Sequence, residues 1–174
     1  MVCSVKIIIE TARLQLGHFS LDDAPFVLEL VNDPSWIQFI GDRSIRRLAQ
    51  AEAYLQNGPM ASYAANGFGL YLVRRTVDGV CLGMCGLVKR PSLPHVDIGF
   101  AFLPQFTGQG YAFEAATAVL HHAQHNLNLS PIIAITAPGN QRSIKLLKKL
   151  GLHFQEMISF GQDQPNTMLF FPKV

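Results

Sequence analysis

Apolar and polar positions along this chain fall into short runs of strand and helix period, separated by glycine, proline and aspartate. Lys6 to Gly17 reads as a first strand. Ser20-Leu21-Asp22-Asp23 offers an N-cap followed by acidic residues, predicting a helix to about Val31 that Asp33-Pro34 stops. A second helix is expected from about Ser44 to the Asn57-Gly58-Pro59 stop. Strands are expected over Phe68–Arg75 and Val80–Lys89, joined by a turn at Thr76-Val77-Asp78-Gly79. After a loop with two prolines, Arg90 to Pro94, a strand from His95 to Leu103 leads into Gln105-Phe106-Thr107-Gly108-Gln109-Gly110. A helix follows over Tyr111–Leu127, with Ala112, Ala116, Val119, Leu120, Ala123 and Leu127 at helical spacing. Pro131–Ala137 is apolar on both faces, as in a buried parallel strand. A helix over Gln141–Leu150 stops at Gly151, and strands near His153–Phe160 and Thr167–Phe171 close the chain. This order predicts an α/β (α+β) class: one mixed central sheet with helices on both faces.

A strand, a glycine turn and a helix start gather backbone N–H groups around one point, where the helix end carries partial positive charge. Such a point suits a phosphate, and glycine lets an anion approach the amides. A dinucleotide-binding turn would need a third glycine where Phe113 stands. A P-loop would need Gly-Lys-Ser/Thr, but Gly110 is followed by Tyr111 and Ala112.

Gln105, Gly108 and Gly110 instead match Gln/Arg-x-x-Gly-x-Gly/Ala, which resembles the acyl-coenzyme A loop of the GCN5-related N-acetyltransferases (GNAT). Asn140-Gln141-Arg142-Ser143, with its helix ending at Leu150-Gly151-Leu152, resembles a second motif of that family. Glu10-Thr11-Ala12-Arg13-Leu14 is similar to the opening of the RimJ/RimL-like ribosomal-protein-alanine acetyltransferase branch. Leu82-Gly83-Met84-Cys85-Gly86-Leu87 and Asp97-Ile98-Gly99-Phe100 resemble two of that branch's strands. The resemblance runs in the family's order over nearly the whole chain. It implies a single N-acetyltransferase domain, residues 1–174, with two neighbouring strands splayed to admit acetyl-CoA.

The resemblance also implies roles. The pyrophosphate of acetyl-CoA, the acyl donor, would rest on main-chain amides from Gln105 through Thr107, Gly108, Gln109, Gly110 and Tyr111 to Ala112. The pantetheine arm would pair with the main chain of Phe100, Ala101, Phe102 and Leu103. Asn140 reads as a helix cap on plain grounds, and the resemblance adds a hydrogen bond to the pantetheine or thioester. Ser143 lies in the first turn beside the same ligand; Leu147 stands where many members carry a tyrosine acid, so either Ser143 donates to the leaving thiolate or the thiolate leaves unaided. Asp97 replaces the branch's glutamate, and two readings stay open: a base acting through water, or a sheet-edge carboxylate paired with a nearby arginine. Arg142 and Lys145 are either a solvated face or a field for the cofactor's 3′-phosphate. Trp36 to Ile40 is either core or a border of the acceptor pocket, and Phe106 reads as core. The expected reaction is direct attack of a primary amine, from a protein N-terminus or a small molecule, on acetyl-CoA. The alternative is a non-catalytic acyl-CoA binder or sensor of the same fold.

Composition narrows the partners. With 49% hydrophobic and 15% charged residues in 174, the chain has material for a full core. A net charge of +2 gives no basic face for nucleic acid. No apolar run reaches a membrane span, and Met1–Ile9 lacks the frame of a signal peptide, so a cytoplasmic protein without a membrane partner is expected. Three cysteines, Cys3, Cys81 and Cys85, fit a reducing compartment and no zinc pattern. His121 and His125 lie four apart on a helix with Glu114 on the same face, but a polar face is expected there and no metal. A homodimer is left open.

Overall fold

In the computed structural model, which describes residues 6–161 and 164–173, the chain opens with a hairpin. Strand β1 (Ile7–Glu10) pairs antiparallel with β2 (Leu14–Gly17), so the expected single strand is two. The reversal needs no glycine. Thr11 supplies it, its N–H donating to the Leu14 carbonyl at 2.9 Å and its hydroxyl accepting from the Leu14 N–H at 3.0 Å. Met1–Val5 lie outside the described residues.

Four helices follow. Helix α1 (Ala24–Val31) ends near the expected place, but Asp33-Pro34 also starts a helix, α2 (Pro34–Phe39). Asp33 caps it by accepting from Ser35 N–H at 2.9 Å, and proline suits the first turn because no N–H is needed there. Helix α3 (Leu48–Leu55) starts later than Ser44, since Gln50 Oε1 accepts from the Arg46 and Arg47 amides and sets the first turn there. Asn57-Gly58-Pro59 does not stop the path. Gln56–Met60 makes one π turn, with Ala61 N–H reaching back to Gln56, and α4 (Ala61–Asn66) continues to a left-handed Gly67.

Strands β3 (Leu70–Arg75), β4 (Cys81–Val88) and β5 (Asp97–Phe102) complete a five-stranded antiparallel sheet in the order β1-β2-β3-β4-β5. Helix α5 (Tyr111–His125) leads to β6 (Ala134–Thr136), then α6 (Gln141–Lys149), β7 (Leu152–Ile158) and β8 (Thr167–Pro172). The last three strands form a second antiparallel sheet, β6-β8-β7. Pro131–Ala137 is therefore not a regular parallel strand. Its parallel contact with β5 is one bridge, Asp97 to Ile133, made by Ile98 N–H to Ile133 O at 2.9 Å and Ile133 N–H to Val96 O at 3.0 Å. Beyond that bridge the strands separate into the expected splay.

Period-2 alternation sends side chains to opposite faces of the large sheet. Tyr71, Val73 and Cys85 join Ala116, Val119 and Ala123 of α5 and Ile144 and Leu147 of α6 on one face. Leu72 and Met84 join Val27, Leu30, Trp36 and Leu55 on the other. Each large aliphatic side chain buried this way contributes roughly 1.5–3 kcal/mol. A charge at Val119, fully buried, would break the helix–sheet contact. Two β4 glycines permit close strand approach: a Cβ on Gly83 would lie 2.2 Å from the Ala101 carbonyl oxygen, and one on Gly86 2.2 Å from that of Gly69. None of the described helices is long and apolar enough to cross a membrane.

Candidate acyl-donor site

The glycine turn closes between β5 and α5. Pro104–Phe106 forms one 3-10 turn, then Gly108 (φ +76°) and Gly110 (φ +81°) take left-handed conformations. Gly110 is the N-cap of α5 and has no side chain to cap it, so the first-turn amides keep their donors.

Carbonyls of the turn, by contrast, are tied down. Pro104 O accepts from Thr107 N–H at 3.1 Å and from its hydroxyl at 2.8 Å. Gln105 O accepts from Gln109 Nε2 at 2.8 Å, Gln109 O from Arg13 Nη1 at 3.1 Å, and Gly110 O from Glu114 N–H at 3.0 Å. The Thr107 and Gln109 side chains thus staple the turn, and what it offers an anion is the main-chain N–H of Gly108 to Ala112; the Thr107 N–H, expected among them, is spent on Pro104 O. Phe106 packs against both core clusters, in line with its reading as core.

Beside the turn, β5 has an open edge. Ile98 donates away from β4 to Ile133, so alternation along the antiparallel pair turns the Phe100 and Phe102 backbone groups the same way. Across the fork, Asn140 caps α6, its Oδ1 accepting from Ser143 N–H at 3.1 Å. Ser143 is buried, whereas Arg142 and Lys145 are exposed. Leu147 is fully buried in the core, on the same face of α6 as Ser143.

A family model described as "Acetyltransferase (GNAT) domain" matches residues 13–153. The chain belongs to the GNAT acetyltransferase family. As such it is an acetyl-CoA-dependent N-acetyltransferase. Among its relatives is YkkB of Bacillus subtilis strain 168, 27% identical over 160 residues and spanning 91% of each chain. The uncharacterized N-acetyltransferase YnaD of the same organism is 29% identical over 160 residues, 89% of this chain and 90% of that one. An acetyltransferase structure from Agrobacterium tumefaciens superposes with a TM-score of 0.81 at 21% identity, covering 100% of this chain and 98% of that one. The RimL ribosomal L7/L12 alpha-N-protein acetyltransferase in complex with coenzyme A also gives 0.81, at 15% identity and covering 95% and 97%.

Within this GNAT domain Asp97 is not at a sheet edge. It sits between β4 and the Ile133 bridge, 1% exposed, and accepts from Arg90 Nε at 3.0 Å. Burial pushes its carboxyl above the ordinary value, with the Arg90 guanidinium opposing. His95 lies outside the strand, its ring edge-on to Phe171 at 5.8 Å. Trp36 is core, while Phe39 reaches the turn before Asn140: a Cβ on Gly139 would lie 3.9 Å from its ring. Glu114 is committed to Thr11 and Arg13 and is no partner for the histidines. His121 and His125 stack on each other at 4.1 Å, and among the described residues no group of three His, Cys, Asp or Glu side chains could share a metal. Cys85 is fully buried, which pushes its thiol up and keeps it neutral.

Arg90, and the trio Thr11, Arg13 and Glu114, were not among the expected site residues. The Glu-Thr-x-Arg-Leu opening pointed at Thr11 and Arg13, but nothing local names a partner 101 positions away.

Proposed function

We propose that this GNAT domain moves the acetyl group of acetyl-CoA to a primary amine, on a protein N-terminus or a small molecule, by direct attack. The observation that carries the reading is the turn at 105–112: the Gln105, Gln109 and Gly110 carbonyls are tied back, while the N–H groups from Gly108 to Ala112 have no acceptor among the described residues, beside an open edge of β5. A pyrophosphate fits that set of donors, and an extended pantetheine arm fits the edge at Phe100 and Phe102; Ala101 and Leu103, expected beside them, turn their backbone to β4, with Leu103 N–H on Leu82 O at 3.0 Å. Arg142 and Lys145, both exposed on α6, supply positive field for the 3′-phosphate.

Acetyl-CoA brings the thioester. The amine nitrogen forms the new C–N bond as the C–S bond breaks, and its surplus proton passes through water to Asp97. Asp97, with its pKa raised by burial, suits a base better than an ordinary exposed aspartate does. Asn140 orients the thioester end through its amide, and Ser143 hydrogen-bonds the departing sulfur. The ribosomal-protein acetyltransferases among the solved neighbours support a RimJ/RimL-like assignment and a protein N-terminus as one acceptor. The free thiols of Cys81 and Cys85 support a reducing, cytoplasmic setting.

Turnover of acetyl-CoA against a panel of small amines and peptides tests this reading. Acetylated product with an N-terminal peptide supports it. Transfer to small amines alone removes the protein N-terminus as acceptor, and absence of coenzyme A binding overturns the donor site at 105–112.

A further inference from the structure

The opening of the chain touches the glycine turn. Glu114, in the first turn of α5, accepts from the Thr11 hydroxyl at 2.6 Å and the Arg13 N–H at 3.0 Å through one oxygen. Its other oxygen accepts from Arg13 Nε at 2.7 Å. This fixes the guanidinium, which lies 4.4 Å from the Tyr111 ring centroid and donates from Nη1 to the Gln109 carbonyl at 3.1 Å. Its Nη2 lies 3.4 Å from where a Cβ on Gly110 would stand. The guanidinium therefore packs under the peptide joining Gln109 to Gly110.

That peptide is planar and trans, so its carbonyl and the Gly110 N–H point in opposite directions. Holding the oxygen on Arg13 aims the Gly110 N–H away from Arg13, out of the turn. Without the hold, Gly110 on one side of the peptide gives its φ the freedom to let the unit rotate, and the carbonyl oxygen could then face an incoming anion. Arg13 is 46% exposed, so the ion pair itself adds little to global stability. Its effect is local: the direction of one amide dipole.

We propose that Arg13, held by Glu114 and Thr11, is a positioning residue for the phosphate-binding turn, pinning the Gln109 carbonyl so that the Gly110 amide faces the donor's pyrophosphate. The inference rests on the acetyl-CoA reading of that turn. It assigns a task to the Glu-Thr-x-Arg-Leu opening, which otherwise touches no reacting group. A guanidinium fork is needed, because it must serve Glu114, Gln109 O and the Tyr111 face at once, which an ammonium cannot do.

Calorimetry with coenzyme A and with pantetheine, which lacks the phosphates, tests it on the wild type and on Arg13→Gln, Arg13→Lys and Glu114→Gln. The expected result is coenzyme A binding weakened about tenfold in all three variants, with pantetheine changed by less than about twofold. Hydrogen exchange at Gly110 and Tyr111 should quicken in the variants while β3 and β4 keep their protection, which separates loss of aim from loss of fold. Unchanged coenzyme A affinity overturns the proposal, as does equal weakening of both ligands. Full rescue by Arg13→Lys also overturns it, since charge alone would then suffice. A wild type that fails to bind coenzyme A sinks the donor reading itself, a result distinct from variants that match a binding wild type.

Discussion

Arg90 donates through Nε to the buried carboxylate of Asp97 at 3.0 Å, across the loop that joins β4 to β5. The pair stands at the fork where β5 leaves β6, so its charge lies where the donor's thioester end would arrive. Desolvation raises the Asp97 pKa and Arg90 holds it down, so the guanidinium tunes the carboxylate.

If Asp97 takes the amine's proton, Asp97→Asn lowers kcat by about a hundredfold with little change in KM for acetyl-CoA. Arg90→Gln removes the opposing positive charge and lets the carboxyl titrate higher. The acid limb of the rate–pH profile then moves to higher pH. Steady-state kinetics over pH check both, and a profile unmoved by Arg90→Gln would count against Asp97 as the base.

Gly110→Ala strains a φ of +81° and brings a methyl to 3.4 Å from Arg13 Nη2. Gly108→Ala strains φ alone, with open space around the new carbon. Both should lose about 1–2 kcal/mol of stability, and Gly110→Ala should lose more coenzyme A affinity. Denaturant titration and calorimetry on the same samples measure the two effects.

Asn140→Ala removes the cap on α6 and should cost about 1 kcal/mol of stability. Asn140→Ser restores the acceptor for Ser143 N–H but lacks the amide. Serine should therefore recover melting temperature without recovering turnover. Recovery of both would leave Asn140 a cap and nothing more.

Glu114 carries a pH signature. Burial raises its carboxyl pKa, but bonds from Thr11 and Arg13 outweigh burial and hold it below 4.5. The stability it contributes is fully present above that ordinary value and is lost as pH falls through the lowered one. Glu114→Gln should therefore narrow the stability gap between pH 7 and pH 3, read by denaturant unfolding at each pH.

What is local was legible. The glycine turn was read from Gly108, Gly110 and the apolar strand before them, and the structure puts those glycines at positive φ. Asn140 as a cap followed from the Pro138-Gly139 before it and the helix after it, and its bond to Ser143 is three residues long. Thr11 hid the first hairpin because it makes the reversal with its own hydroxyl, in a stretch whose apolar alternation continues through the turn. Asn57-Gly58-Pro59 misled because a π turn accommodates a proline without ending the helical path.

By itself the sequence determined the elements whose signals lie within one turn of chain: the β3–β5 strands, the glycine turn, α5 and the capped α6. Tertiary structure alone decided that Pro131–Ala137 meets β5 at a single bridge, that Arg90 shares the buried Asp97, and that Arg13 reaches Gln109 and Glu114. These are contacts between surfaces that meet only after the sheet and helices have packed. Local periodicity reports which face of an element is buried, while the identity of what it is buried against depends on the whole path of the chain.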